Sequence, residues 1–188
     1  MRHVIAVLLT VVTLMAVRPA SAQKATIEGT FNASNASQSE QQIERAIESA
    51  VAKMNFVTRP IARGRLKKTN PVYQRIRIGE EGGQISVQFD DRKPIQMPVD
   101  GRAVKWTRED GEVFDVSATR QAVILTQTFK AEDGERINRF SPRADGSALT
   151  LDVTITSPRL PAPVKYALEY QRQLDRKNPH LEFTGNDP

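Results

Sequence analysis

Bond-making chemistry needs side chains that can give, take or hold charge, and this chain is short of them. Its 188 residues include no cysteine and only two histidines, His3 and His180. Thiol nucleophiles, thiolate zinc sites and iron–sulfur clusters are therefore excluded. His180 sits in a polar C-terminal stretch, a poor place for a catalytic triad or a histidine metal site. Gly82-Gly83 is a lone pair rather than a phosphate-cradling loop, and Asp90-Asp91 lie side by side in a turn-like segment. General acid–base work needs a poised group in a cleft, which turns rarely provide. Glu109-Asp110-Gly111-Glu112 recurs as Glu132-Asp133-Gly134-Glu135, but the ligand series of a calcium loop is missing. Asp-Gly between alternating runs marks a hairpin instead. The inventory implies no enzyme, no cofactor and no metal site.

Two groups of residues could still hold something without transforming it. Arg139 falls on the apolar face of a predicted strand, with Gln127 opposite. An arginine there needs a partner or a route to solvent. It would suit a ligand carboxylate or phosphate, with Trp106, Phe114, Tyr166 and Tyr170 as an apolar wall. The second group is the basic segment Arg59, Arg63, Arg65, Lys67 and Lys68, bracketed by Pro60 and Pro71. It could meet an acidic envelope component or a membrane surface, although charge runs are commonly just solvated faces. A short helix over Ile61–Lys68 would turn Ile61 and Leu66 inward.

The elements that must position these residues are mostly strands. From Val72 the apolar period is two, giving nine candidate strands that run from Val72–Ile78 to Val164–Gln171. Short Asp-Gly connections join several of them, so neighbours pair antiparallel. Three-residue loops with glycine in a left-handed position set the register. They place Trp106 opposite Phe114, Val104 opposite Val116 and Lys105 opposite Asp115. They also place Phe129 opposite Ile137, and Ile137 opposite Val153. A two-residue loop would set Glu132 against Glu135 and lose the apolar matches. The resulting inner face includes Val123, Ile137 and, among polar residues, Gln127 and Arg139.

One apolar face on such a meander must close into a barrel or curl around a helix. Ile43, Ala46, Ile47, Ala50, Val51 and Met54 form one helical stripe that could plug the open side, with Ser37 or Ser39 as N-cap. The expectation is a mainly β fold, an up-and-down meander of about 8–9 strands forming a barrel or strongly curved sheet, capped by an amphipathic helix. It resembles the lipocalin-like barrels in strand number and connectivity; no Gly-x-Trp signature opens a first strand, so no family residues carry over.

The ends differ in composition. Arg2-His3, an apolar run from Val4 to Val17 and the small triplet Ala20-Ser21-Ala22 have the layout of a secretory signal peptide cleaved after Ala22. The run is shorter than the ~20 residues a spanning helix needs. Residues 23–38 read mostly as linker, within which Thr26–Phe31 could add a short strand; Asn32-Ala33-Ser34 and Asn35-Ala36-Ser37 match the glycosylation sequon but are read as polar linker. Residues 39–174 form one domain, and residues 175–188 form a polar tail. The formal charge of +5 includes two arginines of the leader. That mild remainder argues against nucleic acid. Taken together, the sequence points to an exported, periplasmic or secreted binder of a small amphiphile, not a lipoprotein. The alternative is an envelope module docking through Arg59–Lys68.

Overall fold

The computed structural model describes residues 26–174. The expected leader (1–22), residues 23–25 and the expected polar tail (175–188, with His180) lie outside the described residues. Ten strands and two helices run in the order β1 (Gly29–Ala33), α1 (Ala36–Val51), α2 (Thr58–Thr69), β2 (Arg75–Glu81), β3 (Gln84–Phe89), β4 (Ile95–Pro98), β5 (Val104–Thr107), β6 (Val113–Gln121), β7 (Ile124–Ala131), β8 (Gly134–Pro142), β9 (Ala148–Thr156) and β10 (Val164–Arg172). All nine expected strands are present. The tenth is β1, which replaces part of the expected linker.

Every pairing is antiparallel, and the spatial order is β4-β3-β2-β1-β10-β9-β8-β7-β6-β5. The sheet is therefore a meander closed on itself by β1, which lies between β2 and β10. A seam remains between β4 and β5, where Asp100 and Thr119 make an isolated bridge. The short β4 is bounded by Pro94 and ends on Pro98, which suits an edge that need not donate further ladder hydrogen bonds. The architecture is a nearly closed lipocalin-like barrel.

Helix α1 forms for the reasons its pattern suggests. Ile43, Ile47, Ala50 and Val51 are buried, and Ala46 packs against the same core. Its N-cap is Asn35, whose side chain accepts from the Gln38 backbone N–H at 3.0 Å. Ser39 does not cap; its hydroxyl donates back to the Asn35 carbonyl. Helix α2 is longer than expected and holds Pro60 in its first turn, where a missing N–H costs nothing. None of its residues is buried. Ile61 is 69% exposed, contrary to the inward expectation, while Leu66 packs on the core.

The turns decide what faces inward. Trp106 pairs with Phe114, Val104 with Val116 and Lys105 with Asp115, as the three-residue loop requires. Gly111, at φ 87°, supplies its left-handed position. The next expectations fail by one residue. Phe129 pairs with Arg136 and Lys130 with Glu135, so the β7–β8 turn is Glu132-Asp133 alone. Gly134 lies in the strand, where a Cβ would come 2.5 Å from the Thr156 carbonyl oxygen. The glycine serves close backbone approach rather than turn geometry. The β8–β9 loop holds four residues, with Arg143 N–H donating to the Ala148 carbonyl. Asn138 therefore pairs with Val153, and Arg139 with Asp152. Because side chains alternate, the slip reverses all of β8. Asn138 and Phe140 are buried and Arg139 is exposed, the opposite of the expected facing. Val123 is likewise displaced, into the two-residue turn that follows Gln121.

Candidate functional site

A cavity of about 730 Å³ opens beneath α2, between that helix, the β3–β4 and β5–β6 connections and the β7–β9 wall. It falls within the ~300–1,000 Å³ common for small-molecule sites. The rest of the barrel is filled, with Phe31, Ile76, Ile85, Met97, Leu125, Phe140 and Leu149 fully buried.

One wall is aromatic. Trp106 and Phe114 stand opposite each other on β5 and β6, with centroids 5.8 Å apart. Phe129 meets both edge-on, at 5.6 and 6.1 Å. Tyr73 and Phe89 form a second pair at 4.5 Å. Such edge and tilted arrangements suit the ring quadrupoles, and all five rings belong to residues that line the cavity.

A polar chain lies against this apolar lining. Arg136 of β8 donates from Nη1 to Asn70 Oδ1 at 2.7 Å and from Nε to Asn138 Oδ1 at 2.8 Å. Tyr166 on β10 donates its hydroxyl to the same Asn70 oxygen at 3.1 Å. Asn138 donates to Gln127 Oε1 at 3.1 Å, and Gln127 reaches the Met97 sulfur at 3.5 Å. Gln127 and Asn138 are buried, as is Asn70. Arg136 forms no ion pair among the described residues, so the charge is met only by neutral amide oxygens. Burial pushes the Tyr166 phenol above its ordinary pKa, while the Arg136 charge pulls the other way.

The mouth is ringed by charge. Arg108 pairs with Asp110 at 2.7 Å and with Glu112, and lies over the Phe114 ring. Arg65 of α2 faces Glu112 across the mouth at 3.9 Å. The Arg108 guanidinium holds Asp110 down at about 2.

Of the residues singled out from sequence, Trp106 and Phe114 line the cavity. Tyr166 and Gln127 belong to the polar chain behind it. Tyr170 is buried elsewhere in the core, its hydroxyl without a partner, and burial raises its pKa. Arg139 points outward and lines nothing; the inward cation is Arg136, three residues earlier on the same strand. Asn70, Arg136 and Asn138 are the residues that sequence reasoning missed. A signal existed, because only the true register sets Lys130 against Glu135 and Arg139 against Asp152.

The basic segment does not form one patch. Arg59 donates to the Ala52 and Met54 carbonyls. Arg63 binds Glu48 at 2.6 Å, and Lys67 binds Glu44, so both fasten α2 to α1. The Arg63 contact holds the Glu48 carboxyl below its ordinary pKa. Arg65 and Lys68 line the cavity mouth. Phe56, Val57 and Ile61 are exposed at the α1–α2 corner and the first turns of α2. No helix among the described residues is long and apolar enough to cross a membrane.

The fold and cavity define a class, the helix-capped antiparallel β-barrel with an internal pocket. Comparison with solved structures agrees on the fold. The chain is similar to a secretory abundant heat soluble protein from Ramazzottius varieornatus, with TM-score 0.54 and 9% identity over 81% of this chain and 100% of that one. It is also similar to the REP1-NXSQ fatty acid transporter, with TM-score 0.49 and 12% identity over 79% of this chain and 96% of that one. Human cRBP IV gives TM-score 0.49 and 15% identity over 79% and 99%. No protein-family model matches the chain, and no curated protein matches it.

Proposed function

We propose that this is an exported, non-enzymatic carrier of a small amphiphile, its tail among Trp106, Phe114 and Phe129 and its acidic head at Arg136. The observation that carries this is a half-buried arginine with no ion-pair partner among the described residues, at the wall of an aromatic cavity. A cation removed from water without a counter-charge is costly, and an anionic ligand head relieves that cost. The leader-like residues 1–22 support export to the periplasm or outside. Native mass spectrometry of protein purified from its own host tests the reading. A bound acid of amphiphile mass is expected. If none co-purifies and stripped protein binds neither oleate nor oleyl alcohol, the carrier reading fails.

A second reading has one observation in its favour, the exposed apolar corner Phe56-Val57 with Ile61 beside Arg65 and Lys68. It is docking to an acidic envelope surface through the Arg59–Lys68 segment, with Arg65 and Lys68 as the cations beside this apolar corner. Co-sedimentation with anionic vesicles should then be lost in Phe56→Ser together with Ile61→Ser. Equal sedimentation of the double variant would remove this reading.

A further inference from the structure

Asn70 occupies an odd place in the site. It is the C-cap of α2, so it belongs to the cover of the cavity, yet it is buried and reaches the far wall. Its Nδ2 donates to the Leu66 carbonyl at 2.8 Å within its own helix. Its Oδ1 accepts from Arg136 at 2.7 Å and from Tyr166 at 3.1 Å, side chains of β8 and β10. The amide orientation is fixed by chemistry. The Leu66 carbonyl only accepts and the guanidinium only donates, so the group cannot be turned over.

Two donors, one of them cationic, thus converge on a single oxygen at the inner wall of the cavity, away from the charges that ring its mouth. That is the arrangement an acid oxygen would seek. The oxygen present, however, is neutral. An aspartate at this position would neutralise Arg136 internally and leave nothing for a ligand head to gain. An asparagine satisfies the hydrogen bonds and leaves the charge unmet. Charge-assisted acceptors bind such donors roughly twice as strongly as neutral ones. A carboxylate or phosphate therefore displaces the amide, whereas an alcohol does not.

We infer that Asn70 is the specificity-determining residue of the cavity, its Oδ1 holding in the free chain the position that an acidic ligand oxygen takes, and so selecting anionic over neutral amphiphiles of equal tail. This rests on the cavity being a ligand site. Helix α2 is also coupled to the choice. It has no buried residue, and Asn70 at its C-cap is hydrogen-bonded to Arg136 and Tyr166 of the barrel wall.

The test uses the chain's single tryptophan, Trp106, which lines the cavity and reports occupancy by fluorescence. Oleate and oleyl alcohol are titrated into the stripped wild type, Asn70→Asp and Asn70→Ala. Asn70→Asp should weaken oleate about ten-fold or more and leave oleyl alcohol within about two-fold. Asn70→Ala, lacking the internal competitor, should bind oleate at least as tightly as wild type. A measurement on the wild type stands beside these in case a variant misfolds. Oleate, but not oleyl alcohol, should move the Asn70 side-chain amide resonance in a nitrogen-15 spectrum. An unmoved resonance with oleate bound, or equal oleate affinity in Asn70→Asp and wild type, overturns the role of Asn70 and leaves the carrier reading intact. Binding of neither probe to wild type overturns both.

Discussion

Arginine side chains divide here by what they face rather than by how many there are. Arg139 stands exposed outside the barrel, in register with Asp152 and away from the cavity. Arg136 is half-buried against a cavity, held by two amide oxygens and without an ion-pair partner among the described residues. Replacing Arg136 with Met should weaken oleate about 10–100-fold, as expected for loss of a charge-assisted contact of ~1.5–3 kcal/mol. Arg139→Met should change it less than about two-fold, within the range of exposed pairs. Fluorescence titration of the two variants side by side checks this, and similar losses would place the acid head elsewhere. At the mouth, Asp110 is lowered from 3.8 to about 2 by the Arg108 guanidinium. Its folded value lies below its unfolded one, so the pairing supports the native turn fully above pH 3.8 and is lost as pH falls through about 2. An NMR titration should find the Asp110 midpoint near 2 in the wild type and back toward the ordinary aspartate value in Arg108→Ala.

At the scale of elements, much of the barrel could be read from period and punctuation, and one strand could not. The β5–β6 hairpin follows its sequence because Gly111 does what glycine in a turn is expected to do, adopting φ 87°. Glu132-Asp133-Gly134-Glu135 repeats the same letters, yet Gly134 answers to a different constraint, the Thr156 carbonyl of the neighbouring strand. That contact is made across the sheet, so the Asp-Gly pattern does not reveal it, and only the charge matches Lys130 with Glu135 and Arg139 with Asp152 point to the true register. The price was the facing of β8, and with it the identity of the inward cation. That a cation and Gln127 share the interior was legible; which cation depended on a tertiary contact. β1 was legible only as a possible short strand over Thr26–Phe31, because Gly29–Ala33 is short and is held in place by bridging β2 and β10. The glycine account predicts a contrast. Gly134→Ala must push backbone and should cost ~1–3 kcal/mol, in the range of overpacked sites. Gly79→Ala, with nothing within 4 Å of the added carbon, should change stability by less than about 0.5 kcal/mol. Urea denaturation of both variants decides it, and equal stabilities would mean that the β8–β9 approach is not tight.

For the whole molecule, the question is how a ligand passes into a barrel that is nearly shut. The end away from the cavity is tied. Arg120 bonds Glu80 between β6 and β2, and Arg172 spans the Gly146, Glu28 and Thr26 carbonyls while lying over the Phe31 ring. Between β4 and β5 the seam is filled by core side chains such as Met97, and Gln127 contacts that sulfur from β7. The cavity instead opens beside α2, whose residues are all at least partly exposed and whose outer anchors are surface ion pairs to α1. Exposed pairs of that kind are worth little, so α2 is the part of the wall that yields at least cost. Passage should therefore run between α2 and the β5–β6 turn, where Arg65 and Glu112 face each other. The absence of native cysteine makes this directly testable. A bis-maleimide link between Arg65→Cys and Glu112→Cys should slow oleate association in stopped flow by about ten-fold or more, as expected where binding requires a conformational change. The same double variant without the linker should bind at the wild-type rate. Linked protein that still fills at the wild-type rate would move the passage to another face, with the β4–β5 seam the next place to link.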